Sequence, residues 1–175
     1  MNKGEHLKKY KHTLKELNDK AKRLEERKTK KYQKVVKKIK KITLSKAKAR
    51  AWKQFSLYIR LRDCLETTGT KERLMCCTCR RLVPFKQAQA GHFIGGRTNS
   101  ILFIESNCHG QDVGCNVFLR GNYDRYLIFM LDKYGEEWVR YLANQKNEIK
   151  KYTVQDLLEK EAYYKEKYEA LLARP

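Results

Sequence analysis

Two thiols separated by two residues, Cys76 and Cys79, can aim both sulfurs at one point, because the turn between them brings the side chains to the same side. That is half of a tetrahedral Zn²⁺ site. Cys115, about 35 residues further on, is the obvious third ligand, and a second Cys-x-x-Cys would place its first sulfur where Asp112 stands. A carboxylate also ligates Zn²⁺, so Cys76, Cys79, Asp112 and Cys115 form a chemically reasonable structural set, though four sulfurs are more usual. Cys108 and His109 are substitutes for the fourth position if the local turn allows; Cys77 sits inside the turn and is left out. The competing reading is that these thiols bind nothing. Against it, clustered cysteines in a short chain without an evident secretory leader read as a metal site rather than a disulfide framework.

Residues 76–122 hold five of the six cysteines, two of the four histidines and six of the nine glycines. Between the cysteine groups lie His92, Asn107 and Asn116, spaced by 15 and then nine positions. The remainder of the chain must position this segment. It is strongly basic: 175 residues carry a formal net charge of +20, with 20 Lys and Arg against five Asp and Glu in the first fifty residues alone. Charge of that size on a small chain favours a polyanionic partner, most often nucleic acid. No apolar run approaches the ~20 residues of a membrane span, and residues 1–25 contain no continuous apolar stretch of a secretory signal. The expected setting is a cytoplasm.

The spacing of Leu7, Tyr10, Leu14, Leu17, Ala21 and Leu24, resumed by Tyr32, Val35, Val36, Ile39 and Ile42, predicts a long basic helix with a break near Lys28–Lys30. Residues 1–45 are read as an arm that neutralises phosphates, residues 46–150 as the core, and residues 151–175 as a C-terminal helix. Ser45 is a candidate N-cap for a helix running to about Glu66, with Trp52, Phe55 and Ile59 as its apolar stripe. Residues 74–93 suggest short strands joined through a cysteine knuckle. Ile101, Leu102 and Phe103 are expected to pack, and a short helix is expected from about Cys108 to Leu119. Helices over residues 123–134 and 136–145 follow, the second with Trp138, Tyr141 and Leu142 as its buried side. Thr153 and Asp156 open the last helix as a capping box. The fold class expected is α+β, mostly helical.

His92 at a strand end, Asn107 after a loop, and Asn116 nine positions later, directly behind Cys115, resemble the HNH nuclease pattern. More closely, the runs AGHF, NCHGQDVGCN, GN and FMLDKYG resemble the phage recombination family called NinG or Rap, over about Trp52 to Leu142. The resemblance implies a small zinc-stabilised ββα-metal core flanked by helices. It implies an endonuclease that hydrolyses phosphodiester bonds with Mg²⁺ or another divalent cation, on branched or junction DNA formed in phage recombination. By position in the pattern, His92 is the general base, suited by an ordinary imidazole's titration near neutrality. Asn107 is the residue that fixes the imidazole or its loop, and Asn116 helps to hold the divalent cation. The Zn²⁺ would be structural, holding together a core too small to cohere alone.

Two departures stand out. Many HNH sites carry an acidic metal ligand immediately before the histidine, and here that residue is Gly91; His109 is a candidate for the missing ligand. The second is Asp112 where the family usually has cysteine. Both motivate the alternative, a non-catalytic zinc-stabilised DNA-binding accessory protein of recombination. Arg97, Arg120 and Arg125 bracket the site and are candidates for clamping phosphates.

Overall fold

The structure is a computed structural model that describes residues 3–40, 42–95 and 99–175; within the first helix, side chains are described for residues 15–37. Arg97 lies outside the described residues. The chain divides into two compact units, Met1–Thr43 and Leu44–Pro175.

The first unit is one helix, α1 (Lys3–Lys40). The break expected near Lys28–Lys30 is not there. Lys, Leu, Glu and Arg are all good helix formers, and Thr29, the weak residue in that stretch, turns its hydroxyl back to donate to the Glu25 carbonyl at 3.0 Å. The apolar positions Leu17, Leu24, Tyr32 and Val35 are exposed.

In the second unit α2 (Leu44–Thr68) is the central element, and α4 (Val154–Leu172) packs along it. Ser45 therefore lies inside α2 rather than capping it. Phe55 and Ile59 are fully buried, as the stripe predicts, and Trp52 is half-buried. Phe55 meets Tyr164 of α4 edge-on at 4.8 Å and Phe103 at 5.5 Å, so the buried Ile101–Leu102–Phe103 segment is held in the same aromatic layer. Such edge-to-face pairs add roughly 0.5–1.5 kcal/mol each beyond their buried area. Gly69 closes α2 with φ +67°, its N–H donating to the Leu65 carbonyl at 3.1 Å.

Two small antiparallel sheets lie against α2. In the first, β1 (Arg73–Met75) pairs with β2 (Leu82–Pro84), Leu74 opposite Val83. The residues between them form the expected cysteine knuckle: Cys76 N–H donates to Arg81 O at 2.8 Å, and Arg80 N–H to Cys76 O at 3.0 Å. In the second, β3 (Gln89–His92) pairs with β4 (Cys108–Gln111), with Gly91 opposite His109 and His92 opposite Cys108. The expected helix from Cys108 is thus a strand at its start. Only Gly114–Phe118 is helical, as a single wide turn. Cys108-His109-Gly110 has weak helix propensity, and pairing with β3 satisfies its backbone groups instead.

Tyr123–Gln145 forms α3, which is two helical segments meeting at Gly135, where φ is +80°. Of the side predicted to be buried in its second segment, Leu142 is buried, whereas Trp138 and Tyr141 are exposed and lie against each other, rings tilted by 30° with centroids 4.8 Å apart. Trp138 Nε1–H donates to Ser106 Oγ at 3.0 Å, a polar use that an apolar stripe does not reveal. The Thr153–Asp156 capping box is formed as predicted.

Behind β4 lies a buried polar network. Arg62 donates from Nε to Asp63 Oδ1 at 2.7 Å, and to the carbonyls of Glu105 and Cys108 at 3.1 and 2.9 Å. Gly110 N–H donates to Asp63 Oδ2 at 2.6 Å, and His109 Nδ1 lies 3.4 Å from the same oxygen. Burial alone would raise the Asp63 carboxyl, but the His109 hydrogen bond, the Arg62 charge and the Gly110 amide together hold it below the usual carboxylate range. Burial pushes the His109 imidazole down, against the pull of Asp63. Both shifts have one sign for stability. As pH falls below ~6.5, the unfolded chain takes up a proton at His109 that the folded chain resists; below ~3.9 it does the same at Asp63. Asp63→Ala is expected to cost about 3–5 kcal/mol at neutral pH, because the buried Arg62 loses its nearest carboxylate and Gly110 N–H its acceptor. The loss should shrink as the wild type is acidified through the carboxylate range, which thermal melts at a series of pH values would read.

Candidate functional site

The sulfurs of Cys76, Cys79 and Cys115 lie within 4.8 Å of one another, and this cluster could hold a metal ion. Cys76 and Cys115 are buried and Cys79 is exposed. The knuckle supplies the first two, and the helical turn after β4 supplies the third, so the cluster ties the first sheet to the segment following the second. Around Cys76, burial pushes the thiol up, but hydrogen bonds from the Thr78 hydroxyl at 3.3 Å and the Asp112 N–H at 3.2 Å, among others, leave it lowered. Partial desolvation and the neighbouring thiols push Cys79 up to about 11. Three adjacent thiols cannot all ionise without a cation among them, so a soft divalent ion suits this donor set.

Asp112, expected as the fourth ligand, is not in the cluster. Its Oδ1 accepts from Gly114 N–H at 2.7 Å, which starts the helical turn, and its own N–H is what reaches Cys76. A tetrahedral set would have to be completed by its second carboxylate oxygen or by a non-protein ligand. Cys108 is a buried residue of β4, outside the cluster. Cys77 packs with Phe93, Tyr126, Met130 and Leu142.

His92 closes β3, half-buried. Its Nε2–H donates to the Leu102 carbonyl at 3.0 Å, which in the neutral ring puts the basic lone pair on Nδ1. The ring lies against Trp52 at 5.0 Å, nearly parallel, so α2 sets its tilt. Asn107 is fully buried and grips the chain just beyond the histidine. Its Oδ1 accepts from Ile94 N–H at 2.8 Å, its Nδ2 donates to Ile94 O at 3.3 Å, and its carbonyl accepts from Phe93 N–H at 2.8 Å. This amide holds the backbone following His92 through both of its polar atoms.

Asn116 sits on the helical turn immediately after Cys115. Its Nδ2 donates to Gln89 Oε1 at 2.6 Å, which directs Oδ1 towards Gly91. A β-carbon on Gly91 would lie 2.8 Å from that oxygen and 1.9 Å from Gln111 Oε1, so no side chain fits at position 91 unless its neighbours move. Tyr126 Oη donates to Gly91 O at 2.9 Å and fastens this point of β3 to α3.

His109, a candidate for the missing ligand, does not face Asn116. Its Nδ1 is held between Asp63 and Arg62, and its Nε2 lies 3.1 Å from Tyr134 Oη, so both nitrogens are engaged in the buried network. Arg120 lines a cleft of about 350 Å³ together with His92, Tyr123 and Lys146. Arg125 lies elsewhere, in a cleft of about 360 Å³ shared with Arg80, Lys133 and Asp132.

The structure therefore brings His92 and Asn107 together through β3 and its following loop, and places Asn116 against Gly91 at the same strand. It adds residues that the spacing does not single out: Trp52, Gln89, the Leu102 carbonyl and Gln111. A signal for Gln89 and Gln111 exists only in strand register, since the two stand opposite each other in the β3–β4 pair. No helix among the described residues is long and apolar enough to cross a membrane.

No curated protein and no solved structure matches the chain. A family model does, that of the Bacteriophage Lambda NinG protein, over residues 1–173. With nearly its whole length matched, the chain belongs to the NinG family of phage proteins.

Proposed function

We propose that this protein is a metal-dependent DNA endonuclease of the HNH type, acting in the cytoplasm of the infected host on branched intermediates of phage recombination. The observation that carries the reading is His92 at the end of β3, with Nε2 bonded to Leu102 O and the following backbone clamped by Asn107. That arrangement fixes the ring and puts its basic lone pair on Nδ1, the requirement for taking a proton from an attacking water. Membership of a phage family and the net charge of +20 support DNA as the substrate.

Each residue then has one task. His92 accepts the water's proton at Nδ1. Asn107 holds the loop so that the ring cannot turn. Asn116 presents Oδ1 to a divalent cation, Mg²⁺ or a similar ion; when bound, such an ion supplies charge neutralisation at the phosphate and the leaving oxygen. Arg120 and Lys146, in the cleft beside His92, bind the phosphate backbone. Cys76, Cys79 and Cys115 hold a structural Zn²⁺, with Asp112 adjacent.

One observation favours the non-catalytic alternative: among the described residues, the three cysteines are the sole group of three Cys, His or carboxylate ligand atoms. A panel of junction, flap, single-stranded and duplex DNA, incubated with and without Mg²⁺, separates the readings. Strand scission that needs Mg²⁺ and is fastest on branched forms is expected from the nuclease. Tight binding of all forms without scission is what an accessory module would give.

The basic arm has its own test. α1 carries most of the net charge and is expected to lie along phosphates, releasing counterions. Removing residues 1–43 should flatten the dependence of log K on log salt by several units, at ~0.9 for each phosphate no longer neutralised. An unchanged slope in filter-binding titrations would take the arm out of the DNA interface.

A further inference from the structure

We propose that Gln111 is a divalent-cation ligand, its amide oxygen supplying from β4 what an acidic side chain at position 91 would supply from β3. The proposal rests on Asn116 as a cation-holding residue and adds a second protein oxygen beside it.

Gln111 is fully buried. Its Nε2 donates to Gly121 O at 2.9 Å and to Thr78 Oγ1 at 3.3 Å. Turning the amide over would set Oε1 against the Gly121 carbonyl, so the network fixes which end is which. Oε1 is left as the one buried side-chain nitrogen or oxygen among the described residues with no hydrogen-bond partner. Leaving such an atom unpaired is unfavourable, and a bound ligand would offset that cost.

The orphaned oxygen has a direction. It lies 1.9 Å from where a β-carbon of Gly91 would be, and Asn116 Oδ1 lies 2.8 Å from that same point. Two amide oxygens, each oriented by a hydrogen bond at its own nitrogen, therefore converge on the bare face of Gly91. A Mg²⁺, Mn²⁺ or Ca²⁺ ion takes oxygens of this kind as ligands at ~2.1–2.6 Å. The glycine before His92 is explained as well: the room that an acidic side chain would fill is occupied by Gln111. Two neutral oxygens hold a hard cation weakly, and its remaining positions fall to water and to phosphate oxygens of DNA. Binding should therefore tighten when DNA is present.

The test is Mn²⁺ binding to the zinc-loaded full chain, read by electron paramagnetic resonance with and without duplex DNA. Gln111→Met, with similar bulk and no amide oxygen, is expected to weaken Mn²⁺ at least tenfold with zinc content unchanged. A double variant, Gly91→Asp with Gln111→Ala, puts a carboxylate into the vacated room and is expected to restore binding to the wild-type level or beyond. Equal Mn²⁺ affinity in wild type and Gln111→Met overturns the proposal, and so does a wild type that binds no Mn²⁺ under either condition. Should the variants not fold, Fe²⁺ with ascorbate and peroxide on the wild type is expected to cleave the chain near Gly91 and Gln111; scission confined to other segments overturns it. The outcome is separable from the nuclease reading. Gln111-dependent Mn²⁺ binding by a protein that cuts no DNA keeps the site and removes the activity, whereas DNA cleavage with Mn²⁺ affinity indifferent to Gln111 does the reverse.

Discussion

His92→Ala is expected to slow Mg²⁺-dependent DNA cleavage by about 10²–10⁴-fold, the usual contribution of a positioned general base, with DNA affinity nearly unchanged. The imidazole is placed from three sides: β3 carries it, the Leu102 carbonyl holds Nε2, and Trp52 lies along its face. Removing it takes away the proposed proton acceptor and leaves the cationic side chains Arg120 and Lys146 of the same cleft in place. Two further variants separate proton transfer from positioning. His92→Gln keeps a side-chain donor for the Leu102 carbonyl yet offers no comparable base, so it should be as slow as alanine. Imidazole added to His92→Ala should recover part of the rate if the missing function is proton acceptance. Asn107→Ala should be milder in its direct chemistry but should loosen the loop at Ile94, where both backbone groups lose their partner.

Metal removal is expected to have the largest effect on folding. The three sulfurs join the β1–β2 knuckle to the turn that carries Asn116, two pieces that also share hydrogen bonds from Asp112 N–H to Cys76 Sγ, Cys77 N–H to Gly110 O and Gln111 Nε2 to Thr78 Oγ1. Cys64, Leu74, Val83 and Ala88 form a small apolar cluster around Cys76 and Cys115, too little to fix the turn by itself. Binding energy at such a site is folding energy. Chelation, or Cys76→Ser, should lower stability by several kcal/mol, on the order of 10–20 °C in Tm. Asn116 is expected to be displaced with it, so cleavage falls in parallel. Cys79→Ser tests the ion rather than the core, since this thiol is exposed and its loss removes little packing. Cys77→Ser should retain the metal and lose only packing against Phe93 and Met130. A protein that is folded to the same Tm, and cleaves equally well, after its metal has been stripped would refute the structural-ion account.

Much of this arrangement is readable from short-range signals. The Cys-x-x-Cys spacing leads to the knuckle, and the Thr153–Asp156 pair leads to a real capping box. The strand end at His92 and the kink at Gly135 also follow from local chemistry. What fails is whatever depends on a distant partner. Cys108–Gln111 reads as the start of a helix because its register with β3 is a tertiary fact. His109 looks like a spare ligand until the Asp63 and Tyr134 groups that occupy it are known, and these come from α2 and α3. Asp112 has the right spacing for zinc, yet the spacing does not reveal that one of its carboxylate oxygens starts the turn at Gly114. Gln111 carries no local signal at all; only its unpaired oxygen, pressed against Gly91 in three dimensions, draws attention to it.

The central claim, that His92, Asn107 and Asn116 form a hydrolytic site for phosphodiesters, is tested most directly by incubating the full chain with end-labelled junction DNA and Mg²⁺ and resolving the strands on a denaturing gel. The account predicts discrete cut strands that disappear when Mg²⁺ is withheld or His92 is replaced by alanine. Intact strands at saturating protein, or equal cutting by wild type and His92→Ala, would contradict it.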